Sequence, residues 1–383
     1  MIPYGKQDVT DGDIEAVIQV LKSDFLTQGP LVPQFETAIA KYCGAQHGVA
    51  VNSATSALHI ACLALELGPG DLLWTSPITF VASANCGRYC GADVDFVDID
   101  PQTLNMCPQA LERKLAESKE TGRLPKVIVP VHMSGLPCQM EAIHSLASAY
   151  GIKIIEDASH AIGGRFGRRS VGACEYSDIT VFSFHPVKII TTAEGGLATT
   201  NDEGLAQAMQ RRRSHGITRD TSQFVGNSDG TWYYQQLDLG MNYRMSEMHA
   251  ALGLSQLGRL DSYVARRHAI ADLYDELLAD LPIDLPTRPD GSYSALHLYI
   301  VRLRNAGLRS EVFEKLRAAQ IGVNVHYIPV HTQPYYRKHG HAESVFPAAE
   351  DYYTRAISLP MFPTMTSEEQ SFVASTFRAS LKQ

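Results

Sequence analysis

The chain has 383 residues, 45% of them hydrophobic and 19% charged, an ordinary globular balance with room for one large α/β domain and a smaller one. A formal net charge of −8 without a concentrated basic face argues against a nucleic-acid partner, and Arg211–Arg213 reads as a solvated helix face. No apolar run reaches the ~18 residues of a membrane span, and Met1–Lys6 lacks the charged and apolar regions of a secretory signal.

Seven cysteines, odd in number and without a C-x-x-C pair, read as reduced thiols of a cytoplasmic protein. Cys86 and Cys90 stand at helical spacing, but no nearby His or Cys pair completes a zinc site, so no metal is expected.

From residue 48 to 201, β-rich apolar runs alternate with helical patterns. The runs are Gly48–Asn52, Asp71–Ser76, Val94–Asp98, Val127–His132, Lys153–Glu156, Ile179–Ser183 and Gly196–Thr200. Helices are expected between them, over Thr55–Leu67, Phe80–Cys90, Pro108–Leu115 and Met140–Tyr150. This alternation predicts a mostly parallel sheet flanked by helices, with its site beyond the carboxyl ends of the strands.

The character changes near residue 255. A long helix over Arg259–Leu281 is followed by the Pro/Gly/Ser-rich Pro286–Ser294. A strand (His297–Leu303), a helix (Ser310–Ala319) and a second strand around Val323–Tyr327 come next. The reading is a large domain over 1–255, including an N-terminal arm, and a smaller C-terminal α+β domain over 256–383.

Asp157 ends one apolar strand and Lys188 follows the next. A carboxylate in an apolar run is expensive to bury without a partner, and a lysine buried near it has a lowered pKa. Together they meet the needs of pyridoxal 5'-phosphate (PLP): an amine to condense with the aldehyde, and a carboxylate to keep the pyridine nitrogen protonated. Asn52–His59 opens a helix with small polar residues after a strand, so Ala54 and Thr55 are candidate N–H donors to a phosphate. The same stretch also reads as an ordinary capped helix start. His160 can reach the ring or its phenolic oxygen, Ser183 can add a hydroxyl to the phosphate, and Phe80 can stack on the ring face or belong to the core.

Five ordered segments resemble one family: N-S-A-T-S-A-L from Asn52, S-P-I-T-F-V-A-S-A-N from Ser76, E-D-A-S-H-A from Glu156, S-F-H-P-V-K-I-I-T-T-A-E-G-G from Ser183, and L-G-M-N-Y-R-M-S-E from Leu239. The chain is similar, over nearly its whole length, to the DegT/DnrJ-type sugar aminotransferases. The resemblance implies a PLP-dependent transferase of fold type I, a homodimer with active sites at the subunit interface, and Asn242 on the phosphate of the neighbouring subunit's cofactor.

Within that family, Ser23–Pro30, Ser183–Gly196 and Val325–Pro329 resemble the transaminases of pseudaminic acid synthesis. These use L-glutamate to convert UDP-2-acetamido-2,6-dideoxy-β-L-arabino-hexos-4-ulose to its 4-amino sugar. Carried over by position, Tyr4, Asp24, Phe25, Leu26, Thr27, Ala54, Asn242, His326, Tyr327, Ile328 and Pro329 would contact the nucleotide sugar; otherwise they read as surface loops. One departure stands out: Ala193 occupies the turn position where the family often has glycine.

The same chemistry on a UDP-4-keto-pentose or a dTDP- or GDP-hexose remains open. Sugar dehydrating relatives replace the lysine with histidine, whereas Lys188 is present. A PLP lyase or desulfurase would need a loop cysteine at the site, and only Cys138 lies in a loop-like stretch. A non-catalytic regulatory homologue would not need both Asp157 and Lys188.

Overall fold

A computed structural model describes residues 1–382. Helices α1 (Asp11–Leu21) and α2 (Leu31–Cys43) precede the first strand. The main sheet has seven strands: β1 (His47–Val51), β2 (Leu72–Thr75), β3 (Asp93–Phe96), β4 (Val127–Val129), β5 (Lys153–Asp157), β6 (Ile179–Ser183) and β7 (Gly196–Thr200). Their spatial order is β1-β7-β6-β5-β4-β2-β3. Only β7 runs against its neighbours; the pairs from β6 to β3 are parallel. The strands are almost wholly buried because helices cover both faces. These helices are α3 (Ala54–Ala64), α4 (Ala82–Tyr89), α5 (Pro108–Thr121), α6 (Met140–Ala149) and α7 (Glu203–Arg213), with α8 (Glu247–Leu257) following them. Helix α5 runs six residues beyond the expected Leu115, through a polar turn that Gly122 closes at φ 69°.

Helix α9 (Leu260–Leu278) serves two cores. Its first half packs Leu260, Tyr263 and Val264 with Phe35, Phe182 and Phe184. Its second half packs Ile270, Tyr274 and Leu278 with a C-terminal unit. That unit holds an antiparallel sheet of β8 (Ile283–Asp284), β9 (Tyr299–Leu303) and β10 (Ala356–Leu359), together with α10 (Arg309–Ala318), α11 (Pro347–Arg355) and α12 (Ser367–Ser380). The N-terminal arm joins the same unit: Ile2 pairs with Ile321, and Met361 donates its N–H to Tyr4.

The strand expected around Val323–Tyr327 is absent. Asn324 makes one bridge to Ser358, and Val325 then donates its N–H to the Asn324 side chain instead of continuing the ladder. The segment leaves the sheet and runs along the main cleft. That departure takes His326 and Tyr327 out of strand alternation.

Candidate active site

A cleft of about 760 Å³ opens beyond the carboxyl ends of β5 and β6, where parallel sheets place their sites. Lys188 and Asp157 both line it. Lys188 lies in a loop closed on itself: Phe184 exchanges backbone hydrogen bonds with Gly195 and Thr192, and Thr191 donates its hydroxyl to the Phe184 carbonyl. The Lys188 amine makes no hydrogen bond or ion pair among the described residues. Burial lowers its pKa from 10.5 to about 8, against an opposing pull from Asp157.

Asp157 is buried, and both its carboxylate oxygens are held. Ser83 donates to Oδ2 at 2.5 Å, and the Ser159 N–H donates to Oδ1 at 3.0 Å. Ser83 in turn shares a 2.7 Å hydrogen bond with Thr79. Its neighbour Glu156 faces the other side of the sheet, as strand alternation requires. There it accepts from Ser177 and Thr180 and meets His132 Nε2 at 2.7 Å. The Cys138 N–H points at His132 Nδ1 at 3.0 Å, so that nitrogen accepts and Nε2–H donates to Glu156.

At the mouth of α3, Ser53 accepts from the Ser56 N–H, and Ser56 donates its hydroxyl to Asn52. The cap leaves the N–H groups of Ala54 and Thr55 without a partner among the described residues, at the positive end of the helix. Gly196 passes behind them so closely that a Cβ would lie 2.5 Å from Ala54 N. Such a cradle of free donors beside a buried carboxylate and an unpartnered amine fits PLP, which α3, Asp157 and Lys188 would hold between them.

The aromatic wall completes the cleft. Phe80 is not core: it is 58% exposed and lines the cavity. His160, Tyr327, His326 and Tyr4 line it as well, with Ser183, Ile328, Asn324 and Gln333. Burial, aided by Lys188 and His326, pushes His160 well below the usual histidine range, and burial with Lys188 brings His326 down to about 4. These rings are therefore neutral near pH 7.

Not every expected residue reaches this cleft. Asp24, Phe25, Leu26, Thr27 and Asn242 are exposed and absent from its lining, and Pro329 lies just past it. The first two groups belong to one surface, however. Thr27 bridges Ser246, and Glu247 donates its N–H to Leu26, four and five residues beyond Asn242. The cleft also lacks arginine, and Lys188 is its one lysine among the described residues.

Sequence reasoning missed Ser83, Thr79 and His297. The i,i+4 spacing of Thr79 and Ser83 was a local signal for their mutual contact, but nothing local pointed Ser83 at Asp157. Ala193 adopts φ 64°, the left-handed conformation that the glycine it replaces would enter freely.

The model of the DegT/DnrJ/EryC1/StrS aminotransferase family matches residues 7–378. The Bacillus subtilis spore coat polysaccharide biosynthesis protein SpsC is 39% identical, over 100% of this chain and 97% of its own. Helicobacter pylori PseC, an aminotransferase involved in the biosynthesis of pseudoaminic acid, superposes with a TM-score of 0.91 at 30% identity, covering 99% of this chain and 98% of that one. The Streptococcus pneumoniae protein Spr1654 in its PLP-form gives 0.89 at 29% identity, with coverage of 99% and 98%.

Proposed function

The chain belongs to the DegT/DnrJ/EryC1/StrS aminotransferase family and is a PLP-dependent sugar aminotransferase, and from that premise we propose its substrate and its residue roles. The amino group of L-glutamate passes to C4 of a UDP-linked 4-keto-6-deoxy-N-acetylhexosamine. The product is UDP-4-amino-4,6-dideoxy-N-acetyl-β-L-altrosamine, the intermediate used for pseudaminic acid. The observation that carries the chemistry is Lys188 and Asp157 facing one cleft beside the free N–H groups of α3. The likeness to PseC supports the sugar.

When bound, PLP supplies the electron sink for moving the proton. Lys188 would hold the cofactor, then with its neutral amine take the proton from the glutamate α-carbon and pass it to the cofactor carbon, and in the second half carry a proton from that carbon to C4 of the sugar. Asp157 keeps a proton on the ring nitrogen, and Ser83 orients its carboxylate. Ala54, Thr55 and Ser183 bind the phosphate, while Phe80 and His160 bracket the ring. Tyr4, His326, Tyr327, Ile328 and Pro329 meet the sugar nucleotide.

Both substrates are anions, yet the cleft of one chain offers little fixed positive charge. This supports a homodimer with shared sites, in which the partner subunit's Asn242 and its surface of Asp24, Phe25, Leu26 and Thr27 complete each cleft. Arg244, two residues past Asn242, makes no hydrogen bond or ion pair among the described residues and would bring a guanidinium to that surface. The division into a large unit over 1–255 and a small one over 256–383 is supported by the two cores that α9 joins. Seven free thiols support a cytoplasmic setting.

A second reading, the same transfer to another nucleotide 4-keto sugar, is favoured by the likeness to a spore coat polysaccharide protein. One experiment separates the two. Purified protein is loaded with PLP, reduced by L-glutamate, and then given UDP-2-acetamido-2,6-dideoxy-β-L-arabino-hexos-4-ulose while the visible band is followed. Bleaching by glutamate and recovery with this sugar supports the proposal. Bleaching without recovery leaves the aminotransferase and transfers the substrate to the second reading.

A further inference from the structure

Tyr327 and His160 stand 167 residues apart in the sequence, yet the phenol oxygen lies 3.0 Å from His160 Nε2. His160 is buried and Tyr327 half-buried, and their rings run almost parallel at 23°. An imidazole nitrogen is the better base and a phenol the better acid, so the O–H donates and Nε2 accepts. That arrangement puts the one ring proton of neutral His160 on Nδ1. Nδ1 is buried without a hydrogen-bond partner, and the His297 ring packs against His160 with centroids 4.4 Å apart. His297 is held from behind, where Arg267 donates to its backbone carbonyl and to that of Leu296.

We infer that Tyr327 is a positioning residue for the cofactor side of the reaction, fixing the tautomer and tilt of His160 through this hydrogen bond while His297 backs the ring. The inference rests on the assignment of the cleft as the PLP site. Its consequence is electrostatic. The groups around His160 are Lys188, His297, His326 and Tyr327, with Asp157 as the nearby anion. A cationic His160 would add positive charge beside a ring whose nitrogen must stay protonated, and so would oppose Asp157. A donor on Nε2 stabilises the neutral imidazole and prevents this. Because Tyr327 follows His326 on the segment that also borders the sugar side of the cleft, one residue ties substrate-facing chain to cofactor-facing ring. A residue that only touched the sugar would leave the glutamate half of the reaction alone.

Tyr327→Phe removes the hydroxyl and keeps the ring. The direct readout is the imidazole nitrogen spectrum of ¹⁵N-histidine-labelled protein, with and without PLP, His160 being identified by its loss in His160→Gln. In the wild type, His160 should be Nδ1-protonated and stay neutral well below the usual histidine range; in Tyr327→Phe it should mix tautomers or protonate at higher pH. In stopped flow without any sugar, bleaching by glutamate should slow on the order of tenfold at saturation while the glutamate KM changes little. His297→Phe, which keeps a flat ring, should preserve the tautomer and so show that packing alone is not being read. An Nε2-protonated wild type, or a Tyr327→Phe protein with unchanged His160 signals and unchanged glutamate bleaching, overturns the inference. If glutamate fails to bleach even the wild type, the functional assignment fails instead, and the nitrogen spectrum still decides the tautomer.

Discussion

The Ser83 hydroxyl donates to Asp157 Oδ2 at 2.5 Å across 74 residues of sequence. One residue sits on α4 and the other at the end of β5, so the bond ties a helix to the strand end that carries the carboxylate. Removing it in Ser83→Ala leaves Oδ2 free to rotate out of the orientation in which Asp157 is proposed to meet the ring nitrogen. A hydrogen bond to a charged group contributes about 1.5–3 kcal/mol. PLP affinity should therefore fall about tenfold or more, measured by titrating apoprotein while following the visible band. An unchanged affinity would mean that Ser159 and the strand alone hold Asp157.

The lowered pKa of Lys188 sets a pH dependence. Incorporation of PLP into apoprotein needs the neutral amine, so its rate should rise with pH and level off above about 8. Stability follows the same group with its own sign. Between about 8 and 10.5 the unfolded chain keeps a proton that the folded chain has lost, so apoprotein should gain stability as pH rises across that window. Below it both states are protonated and the cost of burying the charge is fully present. Urea midpoints of the wild type and Lys188→Met across this range give the comparison, and parallel curves would contradict the assignment.

The proposed sharing of sites between two subunits makes a prediction that neither variant can satisfy alone. Lys188→Ala and Asn242→Ala should each be inactive or nearly so. After denaturation and mixing in equal amounts, random dimers would recover about a quarter of the wild-type activity, since half are mixed and each mixed dimer has one intact site. No recovery from refolded, dimeric mixtures would place Asn242 outside the partner's site.

Gly196→Ala should damage the phosphate cradle. The new Cβ would fall 2.5 Å from Ala54 N and from the Ser53 carbonyl, both backbone atoms that cannot swing aside. An overpacking cost of about 1–3 kcal/mol is expected, seen as a lower Tm together with weaker PLP binding. A variant with full stability and affinity would show that this approach is looser than the geometry implies.

Ala193 offers the opposite case. At φ 64° an alanine bears a steric penalty that glycine lacks, partly offset by the greater freedom of glycine in the unfolded chain. Ala193→Gly should raise stability by about 0.5–1 kcal/mol with little change in turnover. Calorimetry of the apoprotein is the test, and a lower Tm would mean the Ala193 methyl makes contacts worth more than the strain.

By itself the sequence determined whatever depends on neighbours along the chain. The β-rich apolar runs and the helical patterns between them specified the sheet and its flanking helices, because burial on both faces leaves strands continuously apolar. The end of such a strand marked Asp157, and the loop after the next marked Lys188. The capped start of α3 was visible because Ser53, Ser56 and Asn52 bond within four residues. Tertiary structure decided which side chains share a space. Val323–Tyr327 has strand composition, yet its chain leaves the ladder after Asn324 to border the cleft. Ser83 meets Asp157, and Tyr327 meets His160 across 167 residues, only because separate elements pack together. Asp24, Phe25, Leu26, Thr27 and Asn242 lie on the outer surface for the same reason. Local periodicity reports which face of an element is buried, but the partner it is buried against is set by contacts distant in sequence, whose geometry no short pattern carries.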